Sequence, residues 1–315
     1  MRSNNYILAL DVGGTSLKSA IISDDGHCLR KTFRTVAINS AGSREEILNT
    51  LTGTLRKSLI DAQSKDLRIR AIGISMPGPF DYERGISLMK HKFASIYKLN
   101  LKKVIIKSLS LGSDISVIFK PDSWAFLVGE AWRGAARGYQ RVIGITLGTG
   151  LGSAFMVRGH IVVEGAGIPP RGWLWNLPYK EGILEDWISR RGIIRRYKEL
   201  TGEELDVKEI AFRSLHGDKK GLLVFRELGE ILGKCLSQIA LKFKPDCIVL
   251  GGQISKSFNL FKESMVKQLE SVKSLKKVAR AEHIDLAPLY GIAKMALDEI
   301  ENKLHYPREM SNEVM

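Results

Sequence analysis

The chain has 315 residues, 44% of them hydrophobic and 26% charged, with a formal net charge of +14 at pH 7. This mix excludes a disordered or collagen-like chain, and the length suggests two domains, because single cores rarely outgrow about 250–300 residues. Three scattered cysteines, Cys28, Cys235 and Cys247, exclude a disulfide framework, offer no CxxC metal pair and point to a reducing compartment.

In chain order, residues 6–10 form an apolar run that ends in Asp11-Val12-Gly13-Gly14-Thr15. Residues 17–22 form a second run, Asp24-Asp25-Gly26 a turn, and a third run starts at Cys28. This order predicts an antiparallel meander. Over 43–64, the three- and four-residue spacing of Ile47, Leu48, Leu51, Leu55, Leu59 and Ile60 predicts an amphipathic helix. Ser43 is its N-cap, with Glu46 completing a capping box. Residues 70–75 read as a strand stopped by Pro77-Gly78-Pro79, so the first ~120 residues form an α/β unit with a mixed sheet.

The second half repeats this order. Residues 141–147 are a strand, Gly148-Thr149-Gly150 a turn, 153–157 and 161–163 further strands. A long amphipathic helix covers 220–243, a strand 246–250 ends at Gly251-Gly252, and a last helix spans 286–303 before a polar tail expected to fray from Tyr306. A duplicated unit implies two similar α/β lobes around a central cleft. The expected division is 1–122, joined by the terminal helix over 290–305, and 123–289.

Asp11-Val12-Gly13-Gly14-Thr15 combines a carboxylate, two glycines and a hydroxyl at a tight turn. Its backbone amides can cradle a phosphate, and the carboxylate can hold hydrated Mg²⁺ beside it; a plain hairpin turn is the alternative. Thr146-Leu147-Gly148-Thr149-Gly150 supplies a second such turn in the equivalent position, and the recurrence favours phosphate binding for both. Neither is a Walker loop or a dinucleotide fingerprint. Gly251-Gly252-Gln253, at a strand's C-terminal end, could carry a flat adenosine or be an ordinary turn. Asp122, just ahead of a helix, reads as an N-cap or as the general base of a phosphoryl transfer.

Four segments, 11–15, 73–79, 147–152 and 248–252, occur in the order found in the ROK family of repressors, open reading frames and sugar kinases, which the chain resembles from about residue 6 to 300. The resemblance implies two ribonuclease-H-like lobes of the actin-like ATPase type. It also implies ATP- and Mg²⁺-dependent phosphorylation of a hexose hydroxyl; many members of the family are dimers. In its terms Asp122 is the catalytic base and a sugar contact. Asp11, Gly13, Gly14, Thr15, Thr146, Gly148, Thr149 and Gly150 are the phosphate and metal cradle, with Asp11 on Mg²⁺ through water. Gly251, Gly252 and Gln253 form the adenosine loop. Gly78, Asn176 and Glu185 face the sugar. The first lobe then supplies the sugar side and first phosphate turn, and the second the nucleotide and the rest of the sugar site.

Departures from the family pattern are specific. Pro121 stands where an Asn commonly precedes the catalytic Asp. In Gly172-Trp173-Leu174-Trp175-Asn176, Trp173 replaces the family's Glu and Asn176 its His, and no cysteine lies between Cys28 and Cys235, so no structural zinc is expected. Trp173 or Trp175 could stack on a sugar or pack internally; His91 and Lys92 could meet an anionic sugar or lie on the surface. A non-catalytic sugar-binding regulator is the rival reading, which the altered sugar loop favours and the intact Asp122 opposes. The basic residues are dispersed without aromatic interleaving, so no nucleic-acid partner is expected. No run approaches the ~18 apolar residues of a membrane span and no signal peptide is evident, so neither a membrane partner nor export is expected, and a cytoplasmic location is.

Overall fold

The computed structural model describes residues 5–305, and the tail from Tyr306 lies outside the described residues. The chain runs β1 (Tyr6–Val12), β2 (Ser16–Ser23), β3 (Arg34–Ala37), α1 (Arg44–Gln63), β4 (Ile69–Met76), β5 (Phe80–Asp81), β6 (Ile86–Ser87), α2 (Leu101–Ser108), β7 (Ser116–Pro121) and α3 (Asp122–Arg133). It continues with β8 (Arg141–Leu147), β9 (Leu151–Val157), β10 (His160–Val162), β11 (Pro178–Tyr179), β12 (Gly182–Ile183), α4 (Glu185–Ile188), α5 (Arg190–Thr201), α6 (Val207–Leu215) and α7 (Lys219–Phe243). β13 (Cys247–Gly251), α8 (Phe258–Lys267), β14 (Lys277–Arg280) and α9 (Ala287–His305) complete it. Among the described residues no helix is long and apolar enough to cross a membrane.

Two compact units result. One holds residues up to Trp132 together with those from Asp285 onward, the other Arg133–Ile284. The helix led by Asp122 and the start of α9 therefore belong to the first unit, where the sequence reading put 123–289 in the second lobe. Each unit is built on a five-stranded sheet of the same winding, β3-β2-β1-β4-β7 in the first and β10-β9-β8-β13-β14 in the second. In each, an antiparallel meander of three strands is extended by two parallel strands. The fold is a pair of ribonuclease-H-like units.

The first sheet is covered on both faces, which is why its strands read as continuous apolar runs. Leu8 and Leu10 point to the face covered by α1 and α2, where Ile47, Leu51, Leu55, Leu101 and Ile105 pack. Ile7, Ala9, Ala20 and Ala71 point to the other face, against Leu289, Ile292, Ala293 and Ala296 of α9. Small side chains on that face let α9 lie close. The Ser43 hydroxyl accepts from the Glu46 amide at 3.1 Å and starts α1, a cap contributing about 1 kcal/mol. The third strand begins at Arg34 rather than at Cys28, which makes only a single bridge to Ile22. There the Thr32 hydroxyl, in a tight helical turn, accepts the Ile21 amide at 2.9 Å in place of a strand carbonyl.

In the second unit Ile143, Ile145 and Leu147 of β8 pack with Val224, Phe225, Leu228, Leu232 and Leu236 of α7. The hairpin β11–β12 is fastened by rings and cations. Tyr179 meets Trp187 edge-on at 5.7 Å, while the Lys180 ammonium and the Arg195 guanidinium lie 4.1 and 4.8 Å from the Trp187 ring centre.

The tightest helix crossing in the first unit is α3 on α9. A Cβ on Gly129 would sit 2.7 Å from the Ala287 carbonyl carbon, and one on Gly291 2.7 Å from the Gly129 nitrogen. Gly129→Val and Gly291→Val should each lower stability by about 2–4 kcal/mol through overpacking. Gly53, whose Cβ would meet nothing within 4 Å inside α1, should gain about 0.5–1 kcal/mol on substitution by Ala. Urea unfolding of the three variants checks both signs.

Candidate active site

In the first unit β1, β4 and β7 run parallel and in register, with Asp11 opposite Ser75 and Ser75 opposite Lys120. Their C-terminal ends therefore lie side by side, the edge at which open α/β sheets bind ligands. Asp11 stands at the end of β1, and Asp122 immediately follows β7. Ser75 Oγ donates to Asp11 Oδ1 at 2.5 Å. Across the β1–β2 hairpin Asp11 pairs with Lys18, whose ammonium bonds Asp285 Oδ1 at 2.6 Å. The turn itself is closed by Gly13 N–H donating to Ser16 O at 2.9 Å, and the Thr15 side of the turn is exposed.

Burial pushes the Asp11 carboxyl up to about 6; the Ser75 hydrogen bond and Lys18 oppose the rise, while Asp122 and Asp285 add to it. Asp122 is open to water, yet the surrounding protein weakens its solvation and raises its pKa. Lys92 and the Ser123 amide, which donates to Asp122 Oδ1 at 2.8 Å, act in the opposite direction. Asp122 thus bonds the amide of the very next residue, not the amide two or three residues on that a helix cap holds, and the residue is exposed. Gly78 is exposed in the loop after β4, and Tyr82 closes that loop by donating to Met76 O at 3.0 Å. Asp122 lies near enough to Tyr82 to raise the phenol's pKa further, beyond the larger effect of burial. His91 is exposed.

In the second unit Thr146 is registered with Gly251, so the turn after β8 and the turn after β13 are neighbours. Gly252 has φ +79°, and a Cβ there would lie 2.8 Å from the Leu147 nitrogen. Glycine is required at that position by the approach of two backbones. Gln253 is exposed at the start of the following helical turn. Gly148 N–H donates to Gly150 O at 3.0 Å, and Arg190 N–H donates to Gly148 O at 2.9 Å, fixing the turn from the first residue of α5. Thr149 is exposed.

Glu185 is drawn to this same turn. Its Oε2 accepts the Leu151 amide at 2.8 Å, and Arg191 donates to Oε1 at 3.2 Å. A Cβ on Gly150 would lie 2.6 Å from Oε2. The carboxylate thus braces the glycine turn, a contact the sequence reading did not anticipate. Trp173, Trp175 and Asn176 are exposed on the segment ahead of β11. Among the described residues no three His, Cys, Asp or Glu side chains are grouped to hold a metal ion.

Ser75, Lys18 and Asp285 also escaped the sequence reading. Ser75 and Lys18 were accessible to it: a hairpin turning at 13–15 pairs residue 11 with residue 18, and a parallel strand ending before Pro77 brings Ser75 alongside. Asp285 carried no signal, because its contact with Lys18 spans 267 positions.

The ROK family model matches residues 7–299. The chain belongs to the ROK family. It is 24% identical over 273 residues to the glucokinase of Thermotoga maritima, covering 80% of this chain and 83% of that protein. It is also 24% identical over 312 residues to the N-acetyl-D-glucosamine kinase of Haemophilus influenzae, covering 91% and 98%. The crystal structure of a ROK family glucokinase from Streptomyces griseus, in complex with glucose and AMPPNP, shares the fold with a TM-score of 0.74 at 22% identity, over 93% of this chain and 99% of that one.

The raised pKa of Asp11 has a thermodynamic sign. Folded Asp11 keeps its proton to about pH 6, whereas an unfolded aspartate releases it near 3.8. Its contribution to stability is therefore fully present below pH 3.8 and is lost as pH rises through 6. Asp11→Asn should be progressively more stable than wild type between pH 4 and 7, with the difference levelling off above that. Thermal melts of both proteins across pH check this; a difference that does not change with pH would contradict burial as the source.

Proposed function

We propose that this ROK protein transfers the γ-phosphoryl group of ATP to a hydroxyl of a hexose or hexose derivative. The observation that carries the reading is the alignment of Asp11 and Asp122 on one strand edge. The curated relatives named as glucokinase and N-acetyl-D-glucosamine kinase support the acceptor class, and the AMPPNP-bound ROK glucokinase supports ATP as donor.

In this reading Asp122 is the general base. Its carboxylate accepts the hydroxyl proton as the sugar oxygen forms its bond to phosphorus, and the bond to the leaving oxygen breaks with its electrons passing to ADP. A carboxylate whose pKa is raised by lost solvation is the stronger base, and Lys92 opposes part of that rise. The turns at 11–15 and 146–150 hold phosphate oxygens through backbone amides and the exposed Thr15 and Thr149 hydroxyls. Gly251, Gly252 and Gln253 carry the adenosine, and Gly78, Asn176 and Glu185 contribute to the sugar site.

The edge suits a hard cation. Asp11 is an oxygen donor whose charge is disfavoured by burial, and a cation nearby relieves that penalty. Mg²⁺ held by Asp11 through water would neutralise charge on the phosphates.

Asp122→Asn should lower turnover by about 10²–10⁴-fold, the usual value of a general base, with acceptor and nucleotide affinity nearly unchanged by calorimetry. Full turnover by the variant would refute the assignment. Coupled ADP release over a panel of hexoses and N-acetylhexosamines tests the reading as a whole. Sugar binding without ADP release from any of them would instead identify a regulator.

A further inference from the structure

Between Glu83 and Asp114 the chain carries no acidic residue but six lysines, at 90, 92, 98, 102, 103 and 107. Lys90 and Lys98 lie over the Tyr97 ring, 5.2 and 5.6 Å from its centre. Lys92 is placed differently. It is half-buried, and among the described residues no hydrogen bond, ion pair or ring holds its ammonium. Its charge acts instead on Asp122, within the same unit. A half-buried cation with unfilled N–H donors has given up part of its water without a partner in return.

The backbone around Lys92 is tied down on both sides. Leu88 N–H donates to Pro79 O at 3.1 Å, on the loop that holds Gly78. Phe93 N–H donates to Ser40 O at 2.7 Å, and Ser95 Oγ donates to Gly42 O at 2.8 Å. A Cβ on Gly14 would lie 4.0 Å from Ser40 Oγ, so this loop borders the first glycine turn. Phe93 itself is fully buried, with φ +52°. A bulky residue in the left-handed region is strained, and such strain persists where packing over-determines it, commonly at functional sites. Lys92 therefore stands on a segment bonded to the loop after β4 and to the border of the turn at 13–15, with its charge reaching Asp122 after β7.

We propose that Lys92 is a second catalytic residue, whose ammonium binds the oxygens of the phosphoryl group as it passes from nucleotide to acceptor. This rests on the kinase reading above. In that step the acceptor oxygen bonds phosphorus and its proton goes to Asp122, while the bond from phosphorus to the ADP oxygen breaks with its electrons staying on ADP. Asp122 loses its charge as it takes the proton, so the ammonium loses its carboxylate neighbour while the charged phosphoryl oxygens are beside it. A neutral hexose brings no anion of its own to this edge. Lys92 keeps its proton throughout and stabilises the transfer by charge alone.

The test uses the full chain with the hexose or N-acetylhexosamine of highest turnover. Lys92→Met, which keeps the stem and removes the charge, should lower kcat about 10²–10³-fold, the usual worth of one preorganised donor to a developing charge. The KM for the acceptor and calorimetric ATP affinity should change little, and Lys92→Arg should recover part of the loss. Inhibition by ADP with aluminium fluoride, a charged stand-in for the phosphoryl group in transit, should weaken by a similar factor in Lys92→Met, and inhibition by ADP alone should not. Lys90→Met and Lys98→Met, which remove equal charge from the same segment, should leave kcat unchanged. Thermal melts establish that the variants fold, and Lys92→Gln serves where Lys92→Met does not. An active wild type whose kcat is unmoved by Lys92→Met, or whose loss appears only in the acceptor KM, overturns the assignment and leaves the kinase reading standing. Equal losses in Lys90→Met and Lys98→Met also overturn it, because they show the field of the whole segment rather than a contact. A wild type that releases no ADP from any acceptor overturns the kinase reading and this role with it.

Discussion

Three parallel strands end at one level in the first unit, and that alignment fixes where two carboxylates stand. β1 delivers Asp11, β4 delivers Ser75 to bond it, and β7 hands over to α3 at Asp122. None of these residues is a neighbour in sequence. Their proximity is a property of register, and register here is enforced by two covered faces. A one-residue slip would send Leu8 and Leu10 to the face built for Ala9 and Ala71. The same packing that stabilises the sheet therefore positions the chemistry, and the desolvation that accompanies it raises the pKa of Asp11.

The second unit uses the same winding for a different purpose. The end of β8 and the end of β13 meet at Thr146 and Gly251, where the backbone rather than a carboxylate is presented. Gly252 must be glycine because Leu147 leaves no room for a side chain. Glu185 and the Arg190 amide then hold the turn from outside. The phosphate cradle proposed for this turn would have to be rigid before it binds, and these contacts hold the turn in place.

Much of this was legible in the sequence, for identifiable reasons. Strands over 69–76 and 141–147 and helices over 44–63 and 219–243 announce themselves by apolar runs or three- and four-residue spacing bounded by Pro, Gly or a Ser cap. The glycine turns stand out as clustered glycines directly after apolar runs. The third strand begins later than the pattern suggests, because Cys28-Leu29 is only a two-residue apolar start before Arg30 and Lys31, and the Thr32 hydroxyl makes the hydrogen bond a strand carbonyl would make there. Short elements such as α2 and β14 carry too few residues for a period to show. Asp285 and the bracing contacts of Glu185 depend on long-range closure, which no local pattern encodes.

The hairpin β11–β12 shows how ring and cation contacts can reinforce a very short backbone ladder. Trp187 is gripped by an ammonium, a guanidinium and a phenol ring, and the three cysteines of the chain lie elsewhere, at 28, 235 and 247. Each of these contacts is made by the same ring, so loss of Trp187 alone would release the ammonium, the guanidinium and the phenol ring together.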